Sequence, residues 1–534
     1  MQTKNVLTSL KTFCKTKLFF LTVLFIVVFV LYGKSVNFDF INLDEDTLIE
    51  KNIAHLSNIK NVPKLFLTSC YFTKTSFYYR PVLTVSFSIE TALFGFNKKV
   101  YHFTNIILFI LSLYLMYVFS LKLNLSDTVS KFIILLFAVH PVFASLPVWV
   151  PARNDTLLII FILLSFINFI NYIQLNKKVH LICFVLFFVL ALFTKETAIL
   201  LFILYPLFLY CFKYGIIKKQ NLYILLTLFI IVIIYYFLRN CSVAKINITN
   251  YFANILQYLS NSDFGLFNYL FFFFVPAKVP AMLINETFPY KSSIVSLLFL
   301  LIFAVFYYKN AKYRKPLLFA GIWFLVFLIP TFFQKEYVFL THRLFVPSVG
   351  LLIFLSIAVE ELTYDFYILK IVMFALFCGL FGCFFYLSSV FQNTYSNKQT
   401  FWQQAYTDAP NYHFVPYNLA LIYLQQGNNR KYEEFMLKAY SSKNGRVHIF
   451  NVMPILMENG HIDIVKKLCS ALLQTEETTM FYKIGANIIM GQICLRENDL
   501  EQAYKYLKSA SELDNNNIQL KNKVKELETQ IKIN

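Results

Sequence analysis

Three carboxylates stand in a row at Asp44-Glu45-Asp46, a short step beyond an apolar stretch that ends near Tyr32. Acids crowded beside a membrane surface repel one another and prefer water, so a solvated turn is one reading of them. The other reading is chemical. A carboxylate within hydrogen-bond reach of an alcohol takes its proton as the alcohol attacks an electrophilic carbon. If that carbon is the anomeric centre of a sugar on a lipid phosphate, the leaving phosphate needs fixed positive charge, which the planar fork of arginine supplies best. A direct, inverting displacement of this kind requires no activated protein nucleophile.

Cations for the second half of that chemistry are present. They are Arg80 in Tyr79-Arg80-Pro81, Arg153 in Ala152-Arg153-Asn154-Asp155, Lys195 beside Glu196, and Arg343 in Thr341-His342-Arg343. Except for Arg80 they fall at the ends of apolar runs, where charge is costly and marks a functional candidate by default. Asp155, Glu196 and His342 join the candidate set through these motifs. Each also has a plainer reading as a snorkelling or ion-paired anchor, and Lys195-Glu196 reads equally as a local pair. His102 and His140 stand at helix ends too; singly, each reads first as a packing or capping residue. The nine cysteines form no C-x-x-C pair and show no metal-ligand spacing with the eight histidines, so neither disulfides nor a metal site is assigned.

The elements that must hold these residues are set by composition. The 534 residues are 58% hydrophobic and only 14% charged, with a mean hydropathy of +0.59. A soluble core could not hide so much apolar surface, so the bilayer is the solvent for most of the chain. A spanning helix takes roughly 20 apolar residues. Such runs lie near Leu18–Tyr32, Phe103–Leu121, Phe132–Val148, Thr156–Ile173, Leu181–Phe193 and Ala198–Phe212. Others lie near Leu222–Leu238, Ile294–Tyr308, Leu317–Phe333, Leu344–Val359 and Ile368–Val390. The expectation is an all-α chain whose residues 1–390 form a polytopic membrane domain of about eleven helices. The Leu266–Val275 run is too short to span and reads as re-entrant or interfacial.

The formal charge of +19 does not point to nucleic acid. From Phe391 onward 16 Lys and Arg face 14 Asp and Glu, so the polar tail is nearly neutral and the excess sits among the apolar runs. Lysines and arginines recur in alternate short loops: Lys122 and Lys131, Lys177 and Lys178, Lys213, Lys218 and Lys219, then Lys309, Lys312, Arg314 and Lys315. With Lys4, Lys11, Lys15 and Lys17 at the N-terminus they mark one side as cytoplasmic. Eleven spans then put the C-terminal domain on the opposite face, periplasmic or luminal. The first apolar run lacks a small-residue cleavage site and reads as an uncleaved anchor. Two long external loops follow, about 33–102 and 239–293. The first is rich in aromatic and apolar residues, which argues for ordered interfacial helices.

Residues 391–534 repeat with a period near 34, the length of a tetratricopeptide helix pair. Asn418-Leu419-Ala420, Tyr423, Gly427, Met436 and Ala439 fit one repeat. Gly460, Val465, Cys469 and Leu472 fit a second, and Gly491, Cys494, Asn498, Ala503, Leu507 and Ala510 a third. The small residues let paired helices approach and the large ones fill the grooves between pairs. The polar 518–534 segment reads as a cap. A generic helical bundle is the alternative.

Taken in order, these pieces resemble a known group. Phe40-Ile41-Asn42-Leu43-Asp44-Glu45-Asp46, Tyr79-Arg80-Pro81, Phe94-Gly95 and Tyr101-His102-Phe103-Thr104-Asn105 are similar to the first luminal loop of the GT-C glycosyltransferases. The likeness is to the transmembrane and tetratricopeptide-repeat protein O-mannosyltransferases and their bacterial relatives. It continues through His140-Pro141, Trp149, Ala152-Arg153-Asn154-Asp155, Lys195-Glu196-Thr197-Ala198, Arg343 with Pro347-Ser348-Val349-Gly350, and Trp402, covering roughly residues 35–440. The resemblance implies a polyprenyl-phosphate sugar donor and inverting transfer of a hexose to a protein hydroxyl or glycan outside the cytoplasm. It maps the family's first-loop acidic pair onto Asp44 and Glu45, with Asp44 as base, and places Arg153 and Arg343 where donor phosphate could be held. Related enzymes differ over a divalent metal, so no cofactor is assigned. Two departures stand out: Ala144 and Ser145 replace an acid often found after the His-Pro element, and the repeat array is short. The competing functions are a membrane-anchored scaffold that recruits an envelope or secretory partner, and a transporter. The second is disfavoured by the near absence of mid-helix charge. The Lys-, Asn- and Phe-rich style points to a bacterial inner membrane before an endoplasmic reticulum.

Overall fold

The computed structural model describes residues 2–73, 76–212, 214, 219–243, 265–284, 291–333, 338–364, 366–442, 445–475, 479–514 and 517–533. Lys213, Lys218 and about half of the second long loop lie outside them. The described residues are helical; their strand pairing is one short antiparallel contact, Leu283 with Phe339 and Ile284 with Val338. The chain divides into two compact units, Met1–Gln404 and Ala405–Asn534.

The first unit is a helical membrane protein. Six helical stretches are long and apolar enough to cross a bilayer: Lys17–Asn37, Lys98–Lys122, Val150–Leu175, Asn221–Ser242, Arg314–Thr331 and Tyr367–Tyr395. Unbroken Leu, Ile and Phe runs without interior proline make the Lys98–Lys122 and Arg153–Leu175 helices, whose backbone groups are satisfied internally as a lipid environment demands. The run expected as one span over Phe132–Val148 is instead two pieces, Asp127–Ala138 and Pro141–Val148, bent by 59°. Pro141 has no N–H to continue the ladder. The broken turn is repaired by neighbours: Ser388 Oγ donates to the Val139 carbonyl at 2.7 Å, and His140 Nε2 lies 2.9 Å from the Phe273 carbonyl. Counting that pair as one gives seven spans. Four of the other expected spans form shorter elements. These are Lys178–Thr194, Glu196–Cys211, Ser293–Lys309 and the 16-residue Ser348–Thr363 helix. The Leu266–Val275 run forms a ten-residue helix, Gly265–Phe274.

Close packing fixes these helices. A Cβ on Gly350 would lie 2.3 Å from the Ala320 carbonyl, so the Ser348–Thr363 and Arg314–Leu328 backbones touch only because glycine stands there. Trp323 Nε1 donates to the Val346 carbonyl at 2.9 Å across the same contact.

The first long loop is folded. Glu45–Leu48, Ile53–Leu56, Val62–Leu65 and Pro81–Phe94 form helices, and Phe40, Leu48, Leu56, Leu83, Phe87 and Tyr101 share one core. Each large apolar side chain buried there contributes about 1.5–3 kcal/mol, enough to order a loop at the edge of the bilayer. The stretch after the last span is stitched onto it. Ser396 O accepts from Asp39 N at 2.9 Å, and Trp402 Nε1 donates to the Ile41 carbonyl at 3.1 Å. That stitching carries the first unit on to Gln404, past the composition change at residue 390.

The second unit contains helices Phe414–Gln425, Asn429–Ser441, Gly445–Glu458, Ile462–Gln474, Met480–Arg496, Leu500–Leu513 and Ile518–Ile533. Gly427, Gly460 and Asn498, at φ +71°, +82° and +60°, make three of its turns. A Cβ on Gly491 would meet Leu507 at 2.6 Å, so that helix pair packs closely.

Candidate functional site

The acidic triad separates on folding. Asp46 pairs at the surface with Lys51 at 2.8 Å. Glu45 turns inward, and its Oε2 accepts from the backbone N–H groups of Leu43 at 3.1 Å and Asp44 at 3.3 Å. Only 1% of Glu45 is exposed, and burial pushes its carboxyl up to about 8, so it is mostly neutral at pH 7. A carboxyl closed onto its own loop cannot reach an external hydroxyl. That corrects the expected catalytic pairing with Asp44: Glu45 shapes the turn, and Asn42 at φ +53° begins it.

Asp44 is the member left for chemistry. It stands at the N-cap position of the Glu45–Leu48 helix, yet its side chain makes no capping bond. Its Oδ1 instead accepts a hydrogen bond from the Tyr71 hydroxyl at 3.1 Å. Burial raises its carboxyl above the ordinary range. The Tyr71 hydrogen bond and the charges of Arg80 and Arg343 offset part of that rise, Asp46 adds to it, and the carboxyl stays raised.

Arg80 is aimed by its proline. A residue before proline is pushed out of the helical region, and Arg80 takes φ −137°, ψ 59° before Pro81 opens the next helix. Its Nη2 donates to Glu196 Oε1 at 3.2 Å, and its guanidinium lies 4.6 Å from the Tyr78 ring centre. Asn154, with its amide oxygen turned toward Arg80, accepts from Nη1 at 3.3 Å and donates to the Thr194 carbonyl at 2.8 Å.

Lys195 and Glu196 do not pair with each other. Lys195 is extended, at φ −155° and ψ 137°, in the gap between two helices. An extended residue throws adjacent side chains to opposite sides. Glu196 accordingly meets Arg80, and Lys195 Nζ meets Asp155 Oδ1 at 2.7 Å. Asp155 occupies the first turn of its helix, where the dipole favours a carboxylate. His342 Nε2 lies 3.8 Å from Asp155 Oδ2, too far for a hydrogen bond. Burial holds this imidazole down at about 3 and therefore neutral, although the Asp155 charge works the other way. The Trp149 ring is 5.1 Å from it.

The remaining candidates are placed elsewhere. Arg153 has no exposed surface and is enclosed: Nη1 donates to Glu90 at 2.6 Å, Nε to Asn105 Oδ1 at 2.8 Å and Nη2 to the Tyr101 carbonyl at 2.9 Å. The expected phosphate-holding role does not fit a guanidinium enclosed in this way. His102 is buried, 6.1 Å from the Phe40 ring. His140 caps the Pro141 turn through Nδ1 and stacks on Phe273 at 4.9 Å. His140 thus packs and caps, and His102 packs from within its helix. Among the described residues no group of three or more His, Cys, Asp or Glu is placed to hold a metal ion.

The fold therefore gathers Asp44, Arg80, Asp155, Lys195, Glu196, His342 and the charge of Arg343 from five separated segments into one half-buried polar cluster. Comparison with known proteins adds no family to this geometry: no family model, no curated protein and no solved structure matches the chain. Sequence reasoning missed Tyr71, Tyr78 and Asn154 as members of the cluster. Asn154 lay inside a motif already singled out; nothing in local spacing marked the two tyrosines.

Proposed function

We propose that this chain is a membrane glycosyltransferase of the GT-C kind. It moves mannose or another hexose from a polyprenyl phosphate to a protein hydroxyl or glycan on the non-cytoplasmic side. One observation carries the reading: a single carboxylate, Asp44, held by Tyr71 and lying within the electrostatic reach of Arg80 and Arg343. In the reaction the acceptor hydroxyl gives its proton to Asp44 as its oxygen bonds to the anomeric carbon. The bond from that carbon to the phosphate oxygen breaks with inversion, and the polyprenyl phosphate leaves. Arg80 and Arg343 offset the charge on the departing phosphate, while Lys195 holds Asp155 at the edge of the cluster.

Counting the bent pair and the four shorter helices brings the spans to about eleven, and the lysine-rich loops orient them with the N-terminus cytoplasmic. For the second unit we favour a tetratricopeptide array that holds the acceptor. Three helix pairs and a last helix support this, as do ion pairs between residues about one repeat apart: Lys467 with Glu433, and Lys466 with Glu497 at 2.7 Å. A bacterial inner membrane is the favoured location.

The test is mass spectrometry of surface proteins and glycans from cells with the chain, without it, and with Asp44→Asn. Loss of one hexose in the latter two, with the variant folded and abundant, is the expected result. An unchanged profile would favour a scaffold that only recruits partners.

A further inference from the structure

Tyr71 lies in a tight turn. Phe72 N donates to the Ser69 carbonyl at 3.1 Å, Ser69 Oγ donates to the Thr73 carbonyl at 2.7 Å, and Phe72 is driven to φ +56°. That left-handed conformation is costly for a bulky residue, and the turn keeps it. Cys70 N donates to the Tyr78 carbonyl at 3.0 Å, and the Tyr71 and Tyr78 rings meet edge to face at 5.9 Å. The Arg80 guanidinium lies over the Tyr78 ring, 4.6 Å from its centre. One stack thus runs from Asp44 through Tyr71 and Tyr78 to Arg80, and a hydrogen bond joins its first two members.

We propose that Tyr71 is the positioning residue of this site: its hydroxyl holds and aims the Asp44 carboxylate, and the Tyr78 ring ties that aim to Arg80. The inference rests on the reading of Asp44 as the base. A carboxylate in a half-buried pocket tends to pick up a proton and so to stop being a base. The groups that face Asp44 decide the outcome: Arg80 and Arg343 are positive, Asp46 and Glu45 are acidic, Cys70 brings a thiol, and Tyr71 is the hydrogen-bond donor. The two arginines also serve the departing phosphate, and their charge is partly spent when it arrives. The Tyr71 bond is the part of the carboxylate's stabilisation on which the arriving phosphate does not draw.

The experiment titrates the Asp44 carboxyl band by infrared spectroscopy in the purified full chain without substrate. The band is assigned by its loss in Asp44→Asn. Tyr71→Phe keeps the ring and removes the donor, so the midpoint should rise by about one pH unit or more, a tenfold change in ionisation. Tyr78→Phe keeps the ring under Arg80 and should leave the midpoint in place. 3,5-Difluorotyrosine at position 71, the same shape with a more acidic hydroxyl, should lower the midpoint, and it carries the test if Tyr71→Phe fails to fold. An unmoved midpoint in the Tyr71 variants overturns the proposal. In a transfer assay the acidic limb of the pH profile should move with the band in Tyr71→Phe, whereas a merely structural role would lower activity without moving it. Full transfer by Asp44→Asn would instead sink the assignment of the base and leave the titration result standing, so the two failures are distinguishable.

Discussion

Replacing Glu90 by alanine would leave the Arg153 guanidinium buried with no counter-charge. Arg153 is 0% exposed and Glu90 7%, and the pair meets at 2.6 Å with the guanidinium 4.7 Å from the Phe87 ring centre. Removing one partner of such a pair costs about 3–5 kcal/mol, because the remaining charge is stranded in an apolar setting. Arg153→Met should cost a similar amount, and it also strands the Asn105 amide oxygen and the Tyr101 carbonyl, each worth about 1–3 kcal/mol when unpaired. The double variant Glu90→Leu with Arg153→Met removes both charges. Only the two neutral acceptors are then stranded, so it should cost about 2–6 kcal/mol, well below the sum of the single changes. Reversible unfolding in mixed micelles measures all three. The chain's three tryptophans, Trp149, Trp323 and Trp402, all lie within Met1–Gln404, so their fluorescence reports on this unit alone. Single changes each costing under about 1 kcal/mol, or a double variant equal to their sum, would refute the reasoning.

Two further outcomes follow from the same contacts. Glu45 is raised from near 4.5 to about 8 on folding, so the native state keeps a proton that the unfolded chain releases. The stability this contributes is complete below about pH 4.5 and is lost as pH rises through 8. Unfolding of wild type against Glu45→Gln from pH 4 to 9 should show only wild type weakening across that window, and parallel curves would remove the claim. Gly350→Ala forces a methyl onto the Ala320 carbonyl, so it should destabilise the first unit by about 1–3 kcal/mol in the same fluorescence assay; an unchanged midpoint would mean that the two backbones can separate freely.

Long elements were legible in the sequence because bilayer thickness sets a length, and a run such as Thr156–Ile173 meets it without help from the rest of the chain. The bend at His140 was not, although His140-Pro141 was in plain view. A proline between two apolar runs says that the ladder stops, but not that Ser388, 249 residues away, will satisfy the freed carbonyl and so permit a sharp turn. The polar cluster was legible by residue type and illegible by pairing. Lys195 and Glu196 are neighbours and invite a local ion pair, yet their partners are 40 and 116 residues distant. Tyr71 is one of 35 tyrosines, and only the fold distinguishes it.

The three consecutive residues Arg153, Asn154 and Asp155 explain why the buried pair bears on the exposed chemistry. In a helix each residue turns about 100° from the last, so the first turn of Arg153–Leu175 cannot present all three side chains in one direction. Arg153 goes inward to Glu90, Asn105 and Tyr101, groups drawn from the Pro81–Phe94 and Lys98–Lys122 helices. Asn154 and Asp155 then point to Arg80 and Lys195. If the inward anchor is lost, the turn is free to rotate, and a rotation of a few tens of degrees moves a carboxylate by more than the margin of a 2.7 Å hydrogen bond. The lysine would lose its partner and Arg80 its amide, with no residue of the cluster altered. Glu90→Ala should therefore disturb the polar cluster even under conditions where the unit stays folded. The Asp44 titration midpoint in that variant separates a rotated turn from a simple loss of stability, because only the rotation moves the Arg80 charge relative to Asp44.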